Sequence, residues 1–139
     1  MTFAGINYWA VLIAAVAGWL VGGAWYTLLG KPWMAAQGFT AESMAAAKRR
    51  PGAFLPFIYA FAADLVMAGT LAGIVGHVGP VTIKNAVISG ALCWLGFVIT
   101  TLGVNYSFGM RSPQLIAIDG GHWLAVLVVM GAIIGAIGA

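Results

Sequence analysis

Four stretches of this 139-residue chain, residues 8–29, 53–75, 85–104 and 115–137, are almost free of charge. Each is as long as the roughly 20-residue helix that crosses the hydrocarbon core of a bilayer. Backbone N–H and C=O groups have no water to bond there, so segments of this kind are helices, and the alternating ten-residue pattern of a barrel strand is absent. The rest of the chain agrees. With 63% hydrophobic and 6% charged residues, it cannot coat a water-soluble surface, for which roughly a quarter of residues are charged. The fold expected is all-α, a single membrane domain over residues 1–139 built as an integral four-transmembrane-helix bundle. The opening MTFAGIN has no Lys or Arg and no polar cleavage region follows the first apolar run, so that run is expected to stay as a helix.

The connections set the orientation. GKPWMAAQGFTAESMAAAKRRPG is the longest and most polar; within it Thr40 is placed to cap a short interfacial helix that Pro51 and Gly52 end. GHVGPVTIK and NYSFGMRSP form the other two turns. Lys31, Lys48, Arg49 and Arg50 lie in the first connection and Arg111 in the third, against Lys84 alone in the second. The positive-inside rule then places the first and third connections in the cytoplasm and both termini outside. Lys48, Arg49 and Arg50 are expected to contact anionic lipid headgroups. A nucleic-acid partner would need a broader basic face interleaved with aromatics, and none is expected.

Small residues mark the packing faces. Ala10, Ala14, Gly18 and Gly22 follow one another at four-residue steps on the first helix; Gly69 and Gly73 stand on the second and Gly131 and Gly135 on the fourth. That spacing lets a neighbouring helix backbone approach closely. Gly69, Gly73, Gly76 and Gly131, Gly135, Gly138 share one spacing, which is compatible with two related hairpins. Trp9 falls near the outer interface and Trp25 and Trp33 near the inner one, whereas Trp19, Trp94 and Trp123 are deep enough to fill space between helices. The single cysteine, Cys93, lies in an apolar run and reads as a small hydrophobe.

The intramembrane polar residues carry the functional information. Asp64 sits near the middle of its helix, where a carboxylate costs about 2.5 to 3.5 kcal/mol and is expected to turn inward, find a partner or take up a proton. Asp119 and His122, three residues apart, share one face of the fourth helix. At about 100° per residue, Gly69 and Gly73 fall opposite Asp64, and Gly131 and Gly135 opposite His122, so each helix has a polar side and a close-packing side. Thr100 and Asn105 on the third helix and Tyr26 on the first belong to the same half. A buried cluster of Asp64, Asp119, His122, Thr100, Asn105 and Tyr26 is therefore expected, with Asp64 meeting the fourth helix near His122. No HExxH, no clustered His and Cys, and no nucleophile beside its base occur. No catalytic residue, metal or cofactor is expected.

GAWYTLLGKPW, residues 23–33, with Trp25, Tyr26, Gly30, Lys31 and Trp33, resembles the signature of an uncharacterised bacterial membrane family, the domain of unknown function 1761. WLGFVITT and VMGAIIG are similar in character, while Thr27, Leu28 and Leu29 replace the Ser-Pro and Phe frequent in that family. The resemblance implies a small four-helix bacterial membrane protein, expected in the inner membrane, and supplies no substrate or site residue. Two functions are compatible with the sequence. One is an oligomeric permease or channel-like protein that uses the polar cluster. The other is a non-catalytic accessory subunit that docks through its glycine faces onto itself or onto a larger membrane complex.

Overall fold

A computed structural model of the protein describes residues 5–139. Within them every regular element is helical. Helix α1, Tyr8–Leu28, opens where the Asn7 side chain accepts the Ala10 N–H at 3.2 Å. It stops at Leu28 for a local reason: the ring of Pro32 has no N–H to give and would clash with the carbonyl four residues back. The chain turns at Leu29 and restarts as α2, Gly30–Gln37, with Pro32 in the first turn, where a missing donor costs nothing. Gly38, at φ 74°, ends α2 in the left-handed conformation, and the Phe39 N–H returns to the Met34 carbonyl at 2.9 Å.

The interfacial helix expected after Thr40 is α3, Ala41–Lys48. Thr40 and Ser43 close a capping box at both backbone N–H groups, at 3.1 and 2.9 Å. Helix α4 spans Leu55–Val78. The third apolar run is α5, Ile83–Cys93, a π-helical turn, Trp94–Val98, and α6, Ile99–Phe108. Helix α7, Pro113–Ile137, begins where the Ser112 hydroxyl accepts the Gln114 N–H at 3.2 Å. Four helical lengths are long and apolar enough to cross a membrane: Tyr8–Leu28, Leu55–Val78, Ile83–Phe108 and Pro113–Ile137. The third runs four residues past the 85–104 stretch at its C-terminal end, which brings Tyr106 into a helix rather than a turn.

Helix α7 is the central element, packed on α1 and α5 and touching α2, α4 and α6, while α4 lies mainly on α1. Leu71, Val75, Leu115, Val126, Met130 and Ile134 fill the core. The α5–α7 crossing is backbone on backbone. A Cβ added at Gly131 would stand 2.6 Å from the Ala86 carbonyl oxygen, one at Gly135 2.5 Å from Ile83 Cα, and one at Gly90 2.7 Å from the Leu127 carbonyl oxygen. On α1, Gly18 makes room for Met130 and Val126, and Gly22 for the His122 ring. Gly69 differs: its added Cβ would meet only Val11, at an ordinary 3.9 Å. Gly69 thus does not share the packing role of Gly131, which stands at the matching place in the 69-73-76 and 131-135-138 spacing. Outside this core the long helices present apolar side chains outward, among them Leu20, Phe57, Val66, Leu95 and Phe97.

Candidate functional site

Three ionisable side chains are buried among the described residues: Asp64 at 3% exposure, Asp119 at 6% and His122 at 7%. All six Lys and Arg residues are exposed. The interior therefore holds two carboxylates without a lysine or arginine beside either.

Asp119 is satisfied by neutral donors. Tyr26 donates its hydroxyl to Oδ1 at 2.6 Å, the Trp33 indole N–H reaches the same oxygen at 3.1 Å, and the Tyr106 hydroxyl reaches Oδ2 at 2.8 Å. The donors come from α1, α2 and α6, so this one carboxylate ties three elements to α7. A charge-assisted hydrogen bond is about twice as strong as a neutral one, and with three of them Asp119 needs no counter-ion. The break at Leu29 makes this possible, since it folds α2 back far enough for Trp33 to reach α7. Two further indoles clamp the same stretch: Trp25 donates to the Ile118 carbonyl at 3.0 Å and Trp94 to the Gly120 carbonyl at 2.7 Å. Gly121 leaves the space that the Trp25 ring occupies.

His122 lies one turn further along α7, between the rings of Tyr26 and Trp123, at centroid distances of 4.9 and 4.5 Å. Its Nε2 stands over Gly22, 3.0 Å from where a Cβ would be. Tyr26 therefore serves both groups, its hydroxyl on Asp119 and its ring on His122. Asp64 comes from α4 and faces Gly18, its Cγ 3.7 Å from an added Cβ there. Asp64 and His122 are each the tenth residue of their helix, about 14 Å from its start. They do not hydrogen-bond to each other. Asp64 Oδ1 and His122 Nδ1 are both buried without a hydrogen-bond partner, although such groups are nearly always paired in folded proteins.

Of the six residues expected in the cluster, Tyr26, Asp119 and His122 come together and Asp64 lies against the next turn of α1. Thr100 and Asn105 stay outside. Both are exposed, and the Thr100 hydroxyl turns back to the Gly96 carbonyl at 2.9 Å. Tyr106, one residue past Asn105, takes the expected place. Trp33 and Tyr106 are the two members that sequence reasoning missed, one assigned to an aromatic belt and the other to a turn. Lys48, Arg49 and Arg50 are exposed at the end of α3, and His77 donates to the Gly73 carbonyl at 2.6 Å. Trp19 lies between α1 and α4, its ring edge-on to Phe61 at 6.5 Å. It is 39% exposed and bonds the Phe57 carbonyl at 3.2 Å from the side of α4. No group of three His, Cys, Asp or Glu side chains close enough to hold a metal occurs among the described residues.

Residues 9–135 match the model of a family described as a protein of unknown function, DUF1761. No curated protein and no solved structure matches the chain.

Proposed function

We propose that this chain, which belongs to the DUF1761 family, is a multi-pass protein of the cell inner membrane that acts as a small permease or channel-like protein. Its four long helices cross the bilayer as a bundle, residues 31–52 and 105–113 face the cytoplasm, and both termini lie outside. The observation that carries the transport reading is the pair of buried, unpartnered polar atoms, Asp64 Oδ1 and His122 Nδ1, inside an apolar interior. A scaffold would gain by replacing them with hydrocarbon, since leaving such a group unpaired costs about 1 to 3 kcal/mol. Titratable groups retained at membrane depth are what transport paths are built from. Asp119, in contrast, is saturated by three donors and serves to fix the helices.

Four helices seldom enclose a path alone, so the active form is a homo-oligomer. The outward apolar faces of α4 and of the Ile83–Phe108 length are the surfaces open to it. The accessory reading relied on glycine faces, but Gly18 and Gly22 are filled by α7 and Gly131 and Gly135 by α5 within one chain. Two measurements test the proposal together. Mild-detergent extraction from native membranes followed by mass determination should give a homo-oligomer, and vesicles carrying the purified protein should leak small ions faster than protein-free ones. A stoichiometric foreign subunit, with vesicles no leakier than the control, would support the accessory role instead.

A further inference from the structure

Resting on the transport reading, the buried groups also indicate which species moves. Asp64 Oδ1 and His122 Nδ1 both lack a hydrogen-bond partner, and both side chains are more than nine-tenths buried. Their side chains meet one face of one helix, Asp64 at Gly18 and His122, through its Nε2, one turn away at Gly22. Cβ positions four apart on a helix are about 6 Å from each other, so Asp64 Cγ and His122 Nε2 are at most about 13 Å apart. Between them α1 offers one polar group, the Trp19 indole N–H, which is taken by the Phe57 carbonyl, and the apolar Leu20 and Val21.

The charge inventory favours a positive occupant. The ionisable groups that face this region are Asp119 from α7, Tyr26 from α1 and Tyr106 from α6; of the six lysines and arginines, all exposed, Arg111 lies near Tyr106 at the edge of the group and none is buried with it. A metal cation such as Ca²⁺ or Mg²⁺ wants about six or more oxygen ligands, and no three His, Cys, Asp or Glu side chains converge among the described residues. The notch at Gly18 is already filled, because an added Cβ would stand 2.5 Å from the Met130 methyl and 3.1 Å from Val126. A proton needs only one acceptor.

We propose that Asp64 and His122 are the two stations of a proton path along the Gly18–Gly22 face of α1. A proton on the Asp64 carboxyl passes to the neutral His122 imidazole through water admitted when the flexible Met130 side chain moves off Gly18. The O–H bond at Asp64 breaks, an N–H bond forms at Nε2, the ring nitrogen that stands over Gly22, the carboxyl becomes a carboxylate and the ring becomes an imidazolium. The Asp119 charge, three residues away on the same helix face, stabilises that imidazolium. Tyr26 closes the α2 end, with its hydroxyl held by Asp119 and its ring against His122.

The test uses the full-length protein in vesicles with an internal pH indicator and a potassium diffusion potential. Wild-type protein should admit protons at least tenfold faster than Asp64→Asn or His122→Gln, and Asp64→Glu should recover most of the rate. Gly22→Ala, which places a methyl against His122, should slow it. A hydrophobic carbodiimide, which modifies protonated carboxyl groups, should label Asp64 in the wild type and stop the flux, so the assignment does not depend on a variant folding. Proton flux that Asp64→Asn leaves unchanged, or that persists in the wild type with Asp64 unlabelled, would overturn the path. Sodium or potassium flux without proton flux would overturn the proton assignment while leaving the transport reading in place. No ion flux at all would remove both.

Discussion

Asp119 shows how one polar residue is made tolerable in an apolar interior. Its three donors carry no charge of their own, so the carboxyl group is held by oriented dipoles from three helices. A hydrogen bond to a charged group contributes about 1.5 to 3 kcal/mol. Tyr106→Phe and Tyr26→Phe should therefore each lower stability in detergent by about 2 kcal/mol, read by thermal unfolding, whereas Thr100→Val, at an exposed site, should stay within about 0.5 kcal/mol. Asp119→Leu strands three donors at once and should cost more than either. Because Tyr106→Phe then removes a donor that has already lost its acceptor, the Asp119→Leu, Tyr106→Phe double variant should lose less than the sum of the single ones. Equal, additive losses would mean that the cage does not act as a unit. Asp64, Asp119, His122 and Tyr26 were legible in the sequence because a polar group in an apolar run has few places to go. Trp33 and Tyr106 were not, since helical periodicity does not reveal that Pro32 folds α2 back onto α7 or that the third helix runs on to Phe108.

At the scale of elements, glycine spacing separates two kinds of crossing. Where α5 meets α7 the atoms in the way are backbone and cannot rotate aside: Ala86 and Leu127 carbonyls and Ile83 Cα. Gly135→Ala should thus cost about 1 to 3 kcal/mol through overpacking, despite the roughly 1 kcal/mol by which alanine favours a helix over glycine. Gly69→Ala meets only Val11 at 3.9 Å and should be neutral or stabilising by up to that amount. Gly22→Leu should disrupt the α1–α7 contact, because its first side-chain carbon already stands 3.0 Å from the His122 ring. Unfolding temperatures of the three variants check this order, and a Gly69→Ala variant as damaged as Gly135→Ala would contradict it. The sequence spacing located these faces on α1 and α7 correctly and placed Gly131 and Gly135 away from His122. It assigned α4 the same device, because spacing records where small residues fall and not whether a backbone or a side chain comes to meet them.

For the whole molecule, an apolar exterior and a polar interior form one arrangement. Phe57, Val66, Leu95 and Phe97 point outward on helices long enough to span a bilayer, while Asp64, Asp119 and His122 point inward. Water is the wrong solvent for that surface, and the basic residues lie almost entirely on the two connections at one end. The central claim is that these helices cross the membrane with α3 on the cytoplasmic side. Cysteine labelling tests it most directly, in a chain whose own Cys93 is replaced by serine. Ala45→Cys reports on α3 without disturbing the Thr40–Ser43 cap, and Val81→Cys reports on the turn after α4. In intact cells a membrane-impermeant thiol reagent should modify Cys at position 81 and leave position 45 untouched until the cells are opened. Labelling of position 45 in intact cells would reverse the orientation, and equal labelling of both positions from one side would mean that α4 does not cross the membrane.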